Sequence, residues 1–212
     1  MKVLVGSLGS RWPDEYFTDL LEQLPCRLRT QILNFRQWDD AQRSLISKVL
    51  LLKGLAGLGF GPEALMHLKY SAFGRPYLAI GIDFNISHAG GYVLCAISES
   101  RRVGVDVEYL GPVDASDIDT FLSESELVKI WQSKNQSRAF YELWTQKEAF
   151  MKAIGCGFQI HMSNIAVHNN QIKWHNKLWF LHELKIDDKH VSHLCTDGYT
   201  PKISLEEVSF NV

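Results

Sequence analysis

Between residues 39 and 55 the apolar positions recur three and four apart: Leu45, Val49 and Leu52, with Ile46 and Leu50 alongside. That spacing predicts a helix with one buried stripe, its start capped by Asp39 or Asp40. The rhythm then changes. Gly74-Arg75-Pro76 reads as a turn, and residues 84–97 as a strand, a turn at Ala89-Gly90-Gly91 and a second, buried strand. Residues 103–108 alternate, which places Val103, Val105 and Val107 on one face and Asp106 and Glu108 on a wetter one. Residues 123–131 predict a helix opened by a Ser-x-x-Glu capping box, Ser123 with Glu126, and residues 137–154 a longer helix stopped by Gly155. Residues 1–8 read as a first strand. Beyond residue 160 the short apolar stretches 165–167, 174, 178–181, 191–194 and 203–210 predict the strands of a meander.

Both halves mix helix and strand with no low-complexity linker, and the polar break near the midpoint is residues 98–102. The pattern predicts two α+β units, 1–100 and 101–212. A chain of 212 residues, 46% of them hydrophobic, can bury the core this requires. Its longest apolar run, near residues 49–60, is interrupted by Lys53 and several glycines, well short of the roughly 18 residues a membrane span needs. The amino-terminal run is too short for a secretory leader. Cys26, Cys95, Cys156 and Cys195 are far apart and form no metal or disulfide spacing. A cytoplasmic protein with reduced thiols is expected.

Charge changes the picture only locally. The formal net charge of −2 argues against partners held by bulk charge, nucleic acid and anionic membrane among them. Residues 27–53, however, carry six basic residues against Asp39 and Asp40, and residues 106–127 carry seven acids with no Lys or Arg. Either run by itself fits a solvated face.

Three short segments can carry chemistry. Asp106 and Glu108 stand about 6.6 Å apart along one strand face, a spacing at which two carboxylates can share a hard cation, though a wet strand face explains them as well. Trp144, Glu148 and Lys152 share a helical stripe. A surface ion pair beside a core tryptophan is the plainer account, and a carboxylate base one turn from a phosphate-directed ammonium is the sharper one. Ser87 and His88, before a glycine turn, offer a hydroxyl, an imidazole and backbone N–H groups to phosphate oxygens, as do Arg43, Ser44 and Arg75 elsewhere, but no P-loop ties them to a nucleotide. The six histidines beyond residue 160 fit no zinc spacing and read as dispersed over the surface.

Taken in order, Phe84-Asn-Ile-Ser-His88, Gly104-Val-Asp-Val-Glu108 and Trp144-Thr-Gln-Lys-Glu-Ala-Phe-Met-Lys152, with Gly74-Arg75-Pro76 before and Gly155-x-Gly157 after, resemble the signature blocks of the 4′-phosphopantetheinyl transferases, most of all the longer Sfp-type group. The resemblance is strong over residues 43–157 and weaker toward both ends. It implies a fold of two similar α+β halves with the site in the cleft between them, a monomer, and transfer of the phosphopantetheine arm of coenzyme A to a serine of an apo acyl or peptidyl carrier protein, releasing adenosine 3′,5′-bisphosphate. By the same resemblance Asp106, Glu108 and Glu148 would hold Mg²⁺, with Mn²⁺ as a substitute. Glu148 would act as base and Lys152 would neutralise or protonate the departing phosphate. Arg43, Ser44, Arg75, Ser87 and His88, with Asp106 and Lys152, would contact coenzyme A. Relatives place basic residues ahead of the Arg43 helix where this chain has Leu28 and Gln31, so Arg27, Arg29 and Arg36 compete for the adenosine phosphate. Phe121, Leu122 and Leu127 would supply apolar contacts to the carrier protein. The alternative is a non-catalytic coenzyme A or nucleotide-binding module of the same fold, which the presence of Asp106, Glu108, Glu148 and Lys152 argues against. A metal-dependent phosphohydrolase would need a water-activating group besides these carboxylates, and the sequence offers none.

Overall fold

A computed structural model describes residues 1–113, 121–200 and 202–210 of the chain. The elements run β1 (Lys2–Ser7), α1 (Asp14–Glu22), α2 (Cys26–Leu33), α3 (Trp38–Ala56), a 3₁₀ turn (Pro62–His67), β2 (Leu68–Tyr70), β3 (Pro76–Leu78), β4 (Asp83–Ala89), β5 (Tyr92–Ser98) and β6 (Val103–Tyr109). Further along come α4 (Glu124–Trp131), α5 (Gln136–Ile154), β7 (Val167–His168), β8 (Gln171–Trp174), β9 (Lys177–Glu183), β10 (His190–Thr196) and β11 (Ser204–Val208). Asp114, Asp117 and Asp119 of the acidic run lie outside the described residues.

The architecture is α+β, with one long helix on each of two sheets. The first sheet has the order β11-β1-β5-β4 and the second β6-β10-β9-β8-β7. Strand alternation decides what each face meets. Leu4, Val93, Cys95 and Ile97 turn toward α3, where Leu45, Ile46, Leu50 and Leu55 bury their side chains. Val3, Val5, Leu94 and Ala96 turn the other way, into one apolar cluster with Val103, Val105, Val107 and Leu194 of the second sheet. The two sheets are thus joined through a shared core, and α5 closes the far side with Ala149, Phe150 and Ala153.

Three expectations are corrected. The stretch 203–210 does not extend the meander: β11 pairs in parallel with β1, Lys2 opposite Ser204 through Gly6 opposite Val208, so the end of the chain completes the first sheet. Asp39 and Asp40 do not cap α3. Gln37 is its N-cap without a side-chain bond, and the two aspartates lie in the first turn, where negative charge suits the helix dipole. Asp106 does not sit on a wet face but is 2% exposed, because α5 lies directly on β6. That approach needs Gly104, where a Cβ would overlap the Ala149 carbonyl and the Ala153 amide.

Residues on β4 also reach across to the edge of β6. Asp83 Oδ2 accepts from Val103 N at 2.8 Å, and Asn85 Oδ1 accepts from Val105 N at 2.9 Å. An edge strand would otherwise leave these amides unpaired. Ser87, next on the same face, donates instead to the side chain of Asp106 on β6, and it belongs to the site.

Candidate active site

Asp106 on β6, Ser87 on β4 and Lys152 on α5 meet at one point. Lys152 Nζ donates to Asp106 Oδ1 at 2.6 Å and to Ser87 Oγ at 2.9 Å, and Ser87 Oγ donates to Asp106 Oδ1 at 2.9 Å. The other carboxylate oxygen, Asp106 Oδ2, is buried without a hydrogen-bond partner. Burial pushes the Asp106 carboxyl up from its ordinary value, with Lys152 and Ser87 opposing.

Two more carboxylates feel Asp106. Glu108, two residues along β6, is pushed up to about 7 by burial and then by the Asp106 charge, offset in part by a hydrogen bond with Trp144. Glu148, one turn before Lys152 on α5, is raised by burial and by Asp106 while Lys152 pulls it down. A carboxylate with raised affinity for a proton is suited to accept one.

Glu148 and Lys152, with Met151, form one wall of a cleft of about 250 Å³, and Arg75, Asn85 and Ile86 form the other. The cleft therefore lies between the first half and the second. Past Pro76 and Ile86, which line both, a second cavity of about 300 Å³ is walled by Arg43, Ser44, Lys48, Tyr70 and His88. Arg43 pairs with Asp40 at 2.6 Å. His88 is exposed at the cavity wall, and partial burial of its ring followed by the charges of Arg43 and Lys152 lowers its pKa.

Most of the expected residues are brought together, and Arg75 also holds the halves to each other. Its guanidinium, 7% exposed, holds Asp83 through two bonds of 2.9 Å, Lys152 O at 2.9 Å and Val103 O at 2.9 Å. It clamps the two halves around Lys152, and the same residue lines the cleft. Leu122 is buried, at 5% exposure, so its side chain belongs to the core around α5, whereas Phe121 is half-buried and packs edge-on against Trp144 at 5.1 Å. Of the histidines expected on the surface, His190 and His193 are buried.

Three features lie outside the expectations from sequence. A buried ion pair anchors α5 one residue before Glu148: Lys147 Nζ, fully out of water, lies 2.6 Å from Glu126 Oε2 and 3.0 Å from Met162 O. Glu126 is legible in the sequence only as a cap, a role it also fills by accepting from Ser123 N at 2.9 Å. Thr145 Oγ1 lies 2.7 Å from His193 Nδ1 under the same helix. Lys48 lines the second cavity, and no motif in the sequence singles it out.

Among the described residues no group of three or more His, Cys, Asp or Glu side chains is arranged to hold a metal ion. The donors nevertheless suit a hard cation. Asp106 Oδ2 is buried and unpaired, and a divalent ion would favour the ionised forms of Glu108 and Glu148 that burial now penalises. Mg²⁺ asks for only one or two carboxylates when water and phosphate oxygens complete its shell.

The combination defines an α+β protein whose halves share a cleft lined by a carboxylate and an ammonium, with a second cavity rich in basic side chains beside it. Residues 102–202 match the 4′-phosphopantetheinyl transferase superfamily, and residues 11–100 match the N-terminal family of 4′-phosphopantetheinyl transferases. A 4′-phosphopantetheinyl transferase of Aneurinibacillus migulanus is 36% identical over 62% of this chain and 56% of its own length. One from Bacillus subtilis is 31% identical over 82% of this chain and 71% of its own. The transferase HetI of a Nostoc strain is 30% identical over 70% and 68%. The chain belongs to the 4′-phosphopantetheinyl transferase superfamily.

Proposed function

We propose that this chain transfers the 4′-phosphopantetheine arm of coenzyme A to a serine hydroxyl of an apo acyl or peptidyl carrier protein. The serine oxygen forms a bond to the phosphorus that bears the pantetheine, the diphosphate P–O bond breaks, and adenosine 3′,5′-bisphosphate leaves. The observation that carries this reading is the meeting of buried Asp106 and Ser87 with Lys152, which together with Glu148 lines a cleft between the halves, in a chain of this superfamily.

Each residue has a physical task. Glu148, with its raised pKa, takes the serine proton. Lys152 meets the charge that grows on the leaving phosphate, and Asp106 with Ser87 fixes its ammonium there. Arg43, Ser44 and His88 line the cavity for the nucleotide end. Asp106 and Glu108, with Glu148, would hold Mg²⁺ or Mn²⁺. The ion supplies charge neutralisation at the diphosphate when bound. Transfer of this kind rests on positioning and charge more than on covalent help from the protein.

The halves proposed are residues 1–100 and 101–212, with β11 crossing back to the first sheet. The matches to the two families divide at the same place. We read the chain as a monomer, because one chain supplies both walls of the cleft, and as cytoplasmic, because all four cysteines are free thiols. No described helix is long and apolar enough to cross a membrane.

Mass spectrometry tests the reading. Apo carrier proteins of fatty acid, polyketide and nonribosomal peptide type, incubated with the protein, coenzyme A and Mg²⁺, are expected to gain one phosphopantetheine arm on serine in at least one case. Unchanged masses for all three types overturn it.

A further inference from the structure

Lys48 is a cation for which the reaction above has no use. It lies four residues after Ser44, hence on the same stripe of α3, and its side chain enters the second cavity with Arg43 and His88. Its ammonium donates to Ser47 Oγ at 3.2 Å. Among the described residues no carboxylate forms an ion pair with it, and the acid that lines the cavity, Asp40, is taken by Arg43 at 2.6 Å. Behind it stands Cys95, a fully buried thiol pushed up to about 12 and so without charge at neutral pH. The remaining neighbours in the wall, Phe35, Leu51, Leu68 and Phe84, are apolar.

A cation placed in such surroundings has lost water and gained no counter-ion, an arrangement that favours an anion supplied from outside. Burial lowers the Lys48 pKa, the direction expected for an ammonium awaiting a partner. The position of the cavity decides which anion. The reacting diphosphate has to reach Glu148 and Lys152 in the first cleft, whereas the second cavity lies beyond Pro76 and Ile86 and offers cations without a free carboxylate. A phosphate monoester remote from the reacting phosphorus fits there.

We propose that Lys48 is a further binding and specificity residue of this protein, closing with Arg43 on the 3′-phosphate that distinguishes coenzyme A from 3′-dephospho-coenzyme A. This rests on the transfer reading above and adds a residue to it. Lys48 touches no reacting atom, so it acts on affinity and not on the chemical step.

The test compares coenzyme A with 3′-dephospho-coenzyme A by isothermal titration calorimetry on the full chain, wild type against Lys48→Met, Lys48→Gln and Lys48→Arg. Loss of a charge-assisted contact should weaken coenzyme A binding to Lys48→Met about tenfold or more while 3′-dephospho-coenzyme A changes by less than about twofold. Lys48→Arg should keep most of the preference, and kcat of transfer should be unchanged in all three. Lys48→Gln gives the same reading if the Met variant fails to fold. Equal weakening of both ligands, or unchanged coenzyme A affinity, overturns the role of Lys48 and leaves the transfer reading standing, as does a wild type that transfers from both ligands without preference. A wild type that binds neither ligand overturns both.

Discussion

Lys152 Nζ sits 2.6 Å from Asp106 Oδ1 while Asp106 Oδ2, in the same carboxylate, has no partner. One oxygen is committed to the protein and the other is buried and unpaired. The ion pair also joins α5 to β6, and through Ser87 to β4, so the groups proposed to react are fixed by the same contacts that hold the halves together.

Removing the ammonium should therefore affect both stability and reaction. Lys152→Ala leaves Asp106 buried and uncompensated. Breaking a fully buried pair costs about 3–5 kcal/mol, and because the Lys152 side chain is 30% exposed the expected loss is roughly 1–3 kcal/mol. Urea denaturation at neutral pH measures it, with transfer expected to fall at least ~100-fold. A variant as stable and active as the parent contradicts the assignment.

Glu148→Gln keeps the size of the side chain and removes its basicity. Transfer should fall by about 10²–10⁴, the range for a lost general base, while coenzyme A affinity stays within a few-fold. Single-turnover kinetics beside calorimetric titration separate the two effects. Normal turnover would remove Glu148 from the mechanism.

Chelation should abolish transfer, and Mg²⁺ or Mn²⁺ should restore it. Without any substrate, Mg²⁺ should also raise the melting temperature of the wild type and leave that of Asp106→Asn unmoved, since the ion relieves buried negative charge. Full activity in excess EDTA would exclude the metal.

His193 gives a stability effect that depends on pH. Burial lowers its pKa to about 4 from 6.5, so between those values the unfolded chain binds a proton that the folded chain refuses. Stability is then full above about 6.5 and is lost as the pH falls toward 4, by roughly 3 kcal/mol at most for this one group. In His193→Gln the decline over that window should be shallower. Parallel denaturation curves at pH 7, 6 and 5 decide it, and identical slopes would refute it.

Local signals serve well where a residue acts on its near neighbours in the chain. Gly155 ends α5 in the left-handed conformation at φ 71°, and Gly90 and Gly91 turn β4 into β5 at φ 59° and 121°, as the pattern predicts. The Ser123–Glu126 cap is visible for the same reason. The helices α1 and α2 leave little trace in the pattern because each buries only two side chains, Phe17 with Leu21 and Leu28 with Ile32, too few to form a periodic run. The partner strand of β11 could not be read from its own residues, because pairing with β1 is a contact across nearly the whole chain.

By itself the sequence determined the long helices and the strands around the motifs, the order of the three motif blocks and the candidacy of Asp106, Glu108, Glu148 and Lys152, because side-chain chemistry and spacing along a helix or strand are local properties. Only the tertiary structure decided that Asp106 is buried beneath α5, that the Arg75 guanidinium clamps the halves, and that Lys48 faces a cavity whose lining carboxylate, Asp40, is paired with Arg43. Those outcomes depend on which atoms lie across a gap from each residue, and the partners come from segments tens of residues away. Burial and partnership then set the protonation and the task of each charged group.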